Sequence, residues 1–220
     1  MYKMKAFYIN LDRRFDRNKA FINSCPLEIK IERFSAIDGR KDVDNQNYLY
    51  LRKHMNQLNT GEYGCFASHL TLWQQLIKSN DTHYLIFEDD AIFCKDFNTK
   101  FIKCLPYIKD IKTILYLGGR FTPEFTSQFN IPINSRICKH NYNFTWHDES
   151  CDRTAHAYII HRDFAKILID EIEQPNYSDP LDAYIIHTLR KHKLDIYNTL
   201  PLLCHSIEVA NDSDIRNEGY

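Results

Sequence analysis

The sequence predicts an α/β domain built on a largely parallel sheet, and three observations predict it. Short apolar runs that read as strands alternate with longer stretches of helical periodicity, the pattern of strands joined by crossover helices. The length, 220 residues, matches one domain on the usual scale of about 100–200 residues each. No repeat, low-complexity tract or linker interrupts the chain, so 1–220 is read as a single domain.

Met4 to Asn10 reads as the first strand. The charged run Asp12 to Asn18 opens a helix carrying Phe15, Ala20, Phe21 and Ile22. Asp12 is placed as its N-cap, where a carboxylate accepts from backbone N–H groups that lack a helical partner. Ile29 to Phe34 alternates as a second strand and ends in the turn signal Ser35-Ala36-Ile37-Asp38-Gly39-Arg40. Residues 41–60 are polar and weakly patterned, a loop with one short helix. Gly61 to Ser79 is the clearest helix: Phe66, Leu70, Trp73 and Ile77 recur at helical spacing, and Leu72 and Leu76 widen the stripe.

His83 to Phe87 is a short apolar strand that runs directly into Glu88-Asp89-Asp90. A helix over Phe97–Tyr107 and a buried strand over Thr113–Leu117, ended by Gly118-Gly119, follow. Residues 120–152 hold no sustained period and read as a long loop with short strands. Loops of that length in compact domains are usually functional or disordered. A strand over Thr154–His161, helices over Arg162–Ile172 and Pro180–Lys191, a strand over Leu194–Asn198 and an irregular tail complete the chain. Proline suits the first turn of the second of these helices.

Composition narrows the function classes. Hydrophobic residues make up 44% and charged residues 26%, which is ordinary for a folded domain. A net charge of −1 with scattered lysines and arginines leaves no footprint for nucleic acid or an anionic membrane. No stretch approaches the roughly 18 apolar residues of a transmembrane span. The N-terminus has a basic start but neither a long apolar run nor a small-residue cleavage site. The seven cysteines contain no Cys-x-x-Cys pair. Buried free thiols are therefore expected, rather than a disulfide framework or a zinc site. A reducing, cytoplasmic setting follows as an expectation. Nothing in the sequence fixes an oligomeric state.

The acidic triplet carries the first chemical signal. Three carboxylates at the end of an apolar strand repel one another, and a hard divalent cation with oxygen ligands offsets that repulsion. The carboxyl ends of strands are also where ligands sit in open α/β sheets. A solvated turn with helix-capping acids ahead of Ala91 is the other reading. A second cluster, Tyr8-Ile9-Asn10-Leu11-Asp12-Arg13-Arg14-Phe15-Asp16-Arg17, puts arginines at a helix start, where free N–H groups favour anions. It reads equally as a helix face with intrahelical pairs between Asp12 or Asp16 and Arg13 or Arg17.

Ala36-Ile37-Asp38-Gly39 places an acid after the second strand, where an α/β sheet meets a ribose hydroxyl, or simply a turn. Ser68 and His69 lie off the apolar stripe of their helix and either face a site or cap a surface. His205 follows an apolar segment and offers a nitrogen ligand or a structural histidine. No P-loop, G-x-G-x-x-G, G-x-S-x-G or H-E-x-x-H pattern is present.

Taken in order, these stretches resemble glycosyltransferase family 25, of the lipooligosaccharide and procollagen galactosyltransferase type. The matching segments are Tyr8 to Arg17, Arg33 to Gly39, Gly61 to His69 with Trp73, and Leu85 to Asp90. Weaker echoes lie at Thr154 to Ile160, Pro180-Leu181-Asp182 and Ser213-Asp214-Ile215. The resemblance implies a GT-A-type, Rossmann-like nucleotide-sugar-binding fold, a UDP-sugar donor, manganese or another divalent cation, and inversion at the anomeric carbon. It implies transfer of galactose or glucose to a hydroxyl on a glycan or a hydroxylysine-type side chain. By the same resemblance, Asp90, Glu88 and His205 would hold the metal and Asp182 would be the base. Asn10, Leu11, Arg13, Arg17, Ala36, Asp38, Ser68, Glu88 and Asp89 would line the donor.

Two other classes remain beside the transferase. A nucleotide-sugar-binding protein without transfer would bind UDP tightly and turn nothing over. A metal-dependent phosphoryl-transfer enzyme would release a nucleoside monophosphate instead of UDP and sugar.

Overall fold

The computed structural model describes residues 4–28, 30–41, 58–121, 137–140, 151–152, 154–172, 179–199 and 202–206. Their elements are β1 (Lys5–Asn10), α1 (Phe15–Ser24), β2 (Ile31–Ser35), α2 (Thr60–Lys78), β3 (His83–Glu88), β4 (Ala91–Phe93), α3 (Phe97–Ile108), β5 (Ile114–Tyr116), β6 (Arg120–Phe121), β7 (Ile137–His140), β8 (Cys151–Asp152), β9 (Ala157–His161), α4 (Arg162–Ile172), α5 (Leu181–Lys191), β10 (Ile196–Thr199) and β11 (Cys204–Ser206). The expected short helix within 41–60 falls almost wholly outside the described residues. So does most of the expected long loop.

The central sheet runs β2-β1-β3-β9-β5-β10-β7. β1 pairs in parallel with β2 and β3, and β10 with β5, while β9 and β7 run the opposite way. The mostly parallel sheet expected from the alternation of strands and helices is therefore present. Successive residues of a strand point to opposite faces, and both faces here are apolar. Phe7, Ile9, Tyr84, Ile86, Tyr158 and Ile160 pack into one core with α2, α4 and α5. Ala6, Tyr8, Leu85, Phe87 and Ile159 pack into the other with Phe21 of α1 and Phe97 and Phe101 of α3. A sheet covered on both sides explains why these strands read as nearly continuous apolar runs.

The helix starts follow local chemistry, with one correction. α2 opens on a reciprocal capping box. The Asn59 side chain accepts from the Glu62 N–H at 2.8 Å, and the Glu62 carboxylate accepts from the Asn59 N–H at 3.0 Å. α1 begins later than the sequence suggests, with Arg14 at its N-cap position and no side-chain cap. Asp12 is not that cap: its carboxylate accepts from Arg33 Nη2 at 2.7 Å and Ser35 Oγ at 2.8 Å, on the neighbouring strand. A guanidinium within reach outbids the weak backbone donors of a helix start.

A second correction concerns the segment after the triplet. Ala91 opens a strand, not a helix, and β4 pairs antiparallel with β11 from a tail that carries no sequence period. The acidic residues Asp89 and Asp90 thus form the turn between β3 and β4. Among the described residues no helix is long and apolar enough to cross a membrane.

The turn after β2 lies directly on the start of α2. A Cβ on Gly39 would sit 1.8 Å from the Thr60 carbonyl oxygen, and one on Gly64 would sit 2.6 Å from the Ile37 carbonyl oxygen. Backbone meets backbone here, so neither position has room for a side chain. Gly39→Ala is expected to destabilise the fold by roughly 1–3 kcal/mol through overpacking, read by urea denaturation. An unchanged midpoint would mean that the two segments separate without loss.

Candidate active site

Three parallel strands end side by side. Asn10 lies opposite Ser35 across β1 and β2, and Ile9 lies opposite Glu88 across β1 and β3. This register gathers the end of β1, the Ala36–Gly39 turn and the acidic triplet at one edge of the sheet, although they are far apart in sequence. β9 enters the same edge from the other direction, and the Glu88 N–H donates to the His156 carbonyl at 2.8 Å.

Asn10 is 1% exposed and anchors the edge. Its Nδ2 donates to Asp89 Oδ2 at 2.6 Å and to the Arg14 carbonyl at 3.1 Å, while its Oδ1 accepts from Arg33 Nε at 2.9 Å. Arg17 Nη1 reaches the other Asp89 oxygen at 3.1 Å, and Arg13 Nη1 reaches Asp38 Oδ2 at 2.6 Å. Arg13 and Arg17 thus tie the charged start of α1 to other segments. Arg14 pairs locally with Asp16.

Leu11 and Ala36 contribute backbone: the Leu11 carbonyl accepts from the Arg14 N–H, and the Ala36 N–H donates to the Asn10 carbonyl. Ser68 is fully buried. Its Oγ donates to the Gly64 carbonyl at 2.7 Å and accepts from the Ile37 N–H at 2.8 Å. Its position is thus behind the Asp38 turn, which it fastens to α2.

The three acids have different surroundings. Glu88 Oε1 lies 3.2 Å from His69 Nε2 and 3.7 Å from Cys65 Sγ. His69 is buried and its other nitrogen lies 2.6 Å from the Tyr158 hydroxyl. Burial lowers the His69 pKa to about 3, so this ring is neutral and places no full positive charge beside Glu88. Asp89 is the acid with counter-charge, from Arg17, although burial still lifts its pKa. Asp90 Oδ1 is shielded from solvent and has no hydrogen-bond partner. Burial first, and then the charges of neighbouring acids, push Glu88 and Asp90 up to about 7.

The other expected site residues lie around this edge. Asp182, in the first turn of α5, accepts from the Ala155 N–H at 2.8 Å, one residue before the His156 carbonyl that holds Glu88. His205 is exposed on β11 and lies opposite Ile92, two positions after Asp90. Among the described residues, the grouping of three potential metal-ligand side chains is Cys65, His69 and Glu88, and it includes neither Asp90 nor His205. Sequence reasoning passed over Cys65, Tyr158 and Arg33. The spacing of Cys65 and His69, four apart on a helix, was the available signal for one of them.

An α/β sheet whose strand ends present arginines, a buried acid and an orphaned carboxylate oxygen has the makings of a site for a phosphorylated ligand and a cation. The chain belongs to glycosyltransferase family 25: the model of that family, described as an LPS biosynthesis protein, matches residues 3–185. The sheet agrees with the GT-A-type fold expected of it.

A glycosyltransferase 25 family member of Aedes aegypti is 33% identical over 238 aligned positions, which cover 97% of this chain and 37% of the relative. Procollagen galactosyltransferase 2 of Homo sapiens is 26% identical over 154 positions, covering 64% of this chain and 24% of the relative. The chain thus spans well under half the length of these curated relatives. The crystal structure of the galactosyltransferase LgtC with donor and acceptor sugar analogues is similar at a TM-score of 0.42 and 11% identity, covering 88% of this chain and 73% of that one.

The acidic edge gives a pH-dependent expectation. A carboxylate whose folded pKa lies above its unfolded value penalises the fold once it ionises, so the penalty is absent below about pH 4 and complete above about pH 7. His69 and His83, whose pKa values burial lowers, act in the opposite sense on stability. The informative quantity is therefore a difference between variants. In EDTA, Asp90→Asn should gain thermal stability over the unsubstituted chain as pH rises from 4 to 8. A difference that stays flat would show that Asp90 ionises without conflict.

Proposed function

We propose that this chain is the donor-binding and catalytic part of an inverting, divalent-cation-dependent glycosyltransferase. It moves galactose or glucose from a UDP-sugar to a hydroxyl of a glycan or a hydroxylysine-type side chain. The observation that carries the reading is Asp90 Oδ1, a buried carboxylate oxygen without a partner inside a cluster of acids. Such an oxygen suits a hard cation. Carboxylate oxygens such as those of Glu88 and Asp90 are the kind of ligand that manganese takes. Asp90 and Glu88 would hold it and His205 would complete the set; the cation would supply Lewis-acid stabilisation of the departing UDP oxygens.

The chain's own residues do the remaining work. Arg13 and Arg17, at the start of α1, would offer forked donors to the diphosphate. Asp38 would accept from a ribose hydroxyl, and Ser68 would keep its turn in place through the Ile37 N–H. Asn10 holds Asp89 in the turn, which leaves Asp90 to face the ligand. Asp182 would take the proton of the acceptor hydroxyl as it attacks the anomeric carbon from the face opposite UDP. The hydrogen bond from the Ala155 N–H fixes one of its oxygens at the start of α5. The free thiols at Cys25, Cys65, Cys94, Cys104 and Cys204 support a reducing, cytoplasmic setting.

The test is a screen of UDP-sugars with manganese that follows UDP release. EDTA should abolish the release and manganese should restore it. Undiminished activity in chelator would remove the cation from the reading, and tight UDP binding without turnover would favour a binding protein. Asp182→Asn should lower turnover by about 10²–10⁴-fold with UDP affinity unchanged. Full activity in that variant would move the base elsewhere. Asp90→Asn should lose manganese-dependent UDP binding, measured by calorimetry.

A further inference from the structure

We propose that Cys65, His69 and Glu88 form a three-donor zinc site, separate from the cation position at Asp90 and sharing Glu88 with it. Cys65 and His69 stand four residues apart on α2 and so face the same direction. Glu88 comes to them from the end of β3. Their ligand atoms all lie within 4.8 Å of one another.

The spacing matches a tetrahedral ion. Bonds of about 2.3 Å to sulfur and about 2.0 Å to nitrogen and oxygen give ligand-to-ligand edges of about 3.5 Å for S···O and about 3.3 Å for N···O. The observed edges are 3.7 Å from Cys65 Sγ and 3.2 Å from His69 Nε2, both to Glu88 Oε1. Two edges of the tetrahedron are therefore set before any ion enters, and the third, between Cys65 Sγ and a His69 ring nitrogen, lies within 4.8 Å.

Outer contacts point the same way. His69 Nδ1 is engaged by the Tyr158 hydroxyl at 2.6 Å, and that oxygen accepts from Trp73 Nε1 at 3.0 Å. With Nδ1–H donating to the tyrosine oxygen, Nε2 carries the lone pair and is aimed at Glu88. This is the support that metal-bound histidines usually receive from outside the ligand shell. His69 and Tyr158 also stack, with ring centroids 5.6 Å apart, which fixes the imidazole plane.

Thiolate, imidazole and carboxylate together favour zinc over manganese or magnesium. On binding, the Cys65 thiol gives its proton to solvent and its sulfur becomes the ligand. Cys65 and Glu88 are half-buried, and a water would serve as the fourth ligand. The sequence argues against zinc because it lacks a Cys-x-x-Cys pair; the fold supplies the donors from a helix and a strand end instead. Because Glu88 serves both positions, zinc would oppose the cation-dependent reaction, and that one consequence rests on the function proposed above.

The experiment uses the full chain, stripped with EDTA and exchanged into chelator-free buffer, with Co²⁺ as a spectroscopic probe. One equivalent should produce a thiolate-to-cobalt charge-transfer band that Zn²⁺ removes. Cys65→Ser, nearly the same size, should abolish the band while circular dichroism shows an intact fold. His69→Gln should weaken cobalt affinity at least ~10-fold. Asp90→Asn and Cys104→Ser should keep the band. Absence of the band in the unsubstituted chain, or its survival in folded Cys65→Ser, overturns the site. If the band behaves as expected while no UDP-sugar is turned over, the zinc site stands and the transferase reading falls.

Discussion

Asn10 holds together the parts on which the rest of the site depends. One buried amide bonds Asp89 in the acidic turn, the Arg14 carbonyl at the start of α1, and Arg33 on β2. Its own carbonyl accepts from the Ala36 N–H, where the chain leaves β2. Three strands that merely ended side by side would leave three loose connections. The amide converts them into one edge of fixed geometry, because Asn10 itself is shielded from competing water.

That edge divides three adjacent carboxylates among three environments. Asp89 faces a guanidinium and an amide, Glu88 faces a neutral histidine and a thiol, and Asp90 feels Arg17 only through space, with one oxygen that has no hydrogen-bond partner. The division comes from the turn itself. Residues 89 and 90 lie between two strands, and Arg17 bonds directly only to Asp89 while its charge reaches all three acids. Burial without compensation is unfavourable for stability, and sites that bind or react are where proteins tolerate it.

Much of this was legible in the sequence. Apolar runs and helical stripes located most elements, because both faces of the sheet are buried and the signal is strong. The triplet, Asn10, Asp38 and the arginines were visible as chemistry at strand ends. What the sequence could not show was pairing between distant segments. Asp12 looked like a helix cap until Arg33 and Ser35, on the next strand, were seen to claim it. Ser68 and His69 were visible only as residues off a stripe. Their separate tasks, one fastening a turn and the other touching Glu88, depend on which elements the fold lays against α2. β4 and β11 are three residues each, too short for any periodicity to register.

The pairing of β4 with β11 also bears on the order in which the molecule is completed. Synthesis delivers the acidic turn early, yet β4 has its partner only when Cys204 to Ser206 emerge, roughly a hundred residues later. β3 likewise waits for β9 to cover its far side. During that interval, the strands flanking the triplet present open edges on a growing chain, and like-charged side chains in the turn deter another chain from pairing there. The same carboxylates that strain the finished fold thus guard it while it is unfinished.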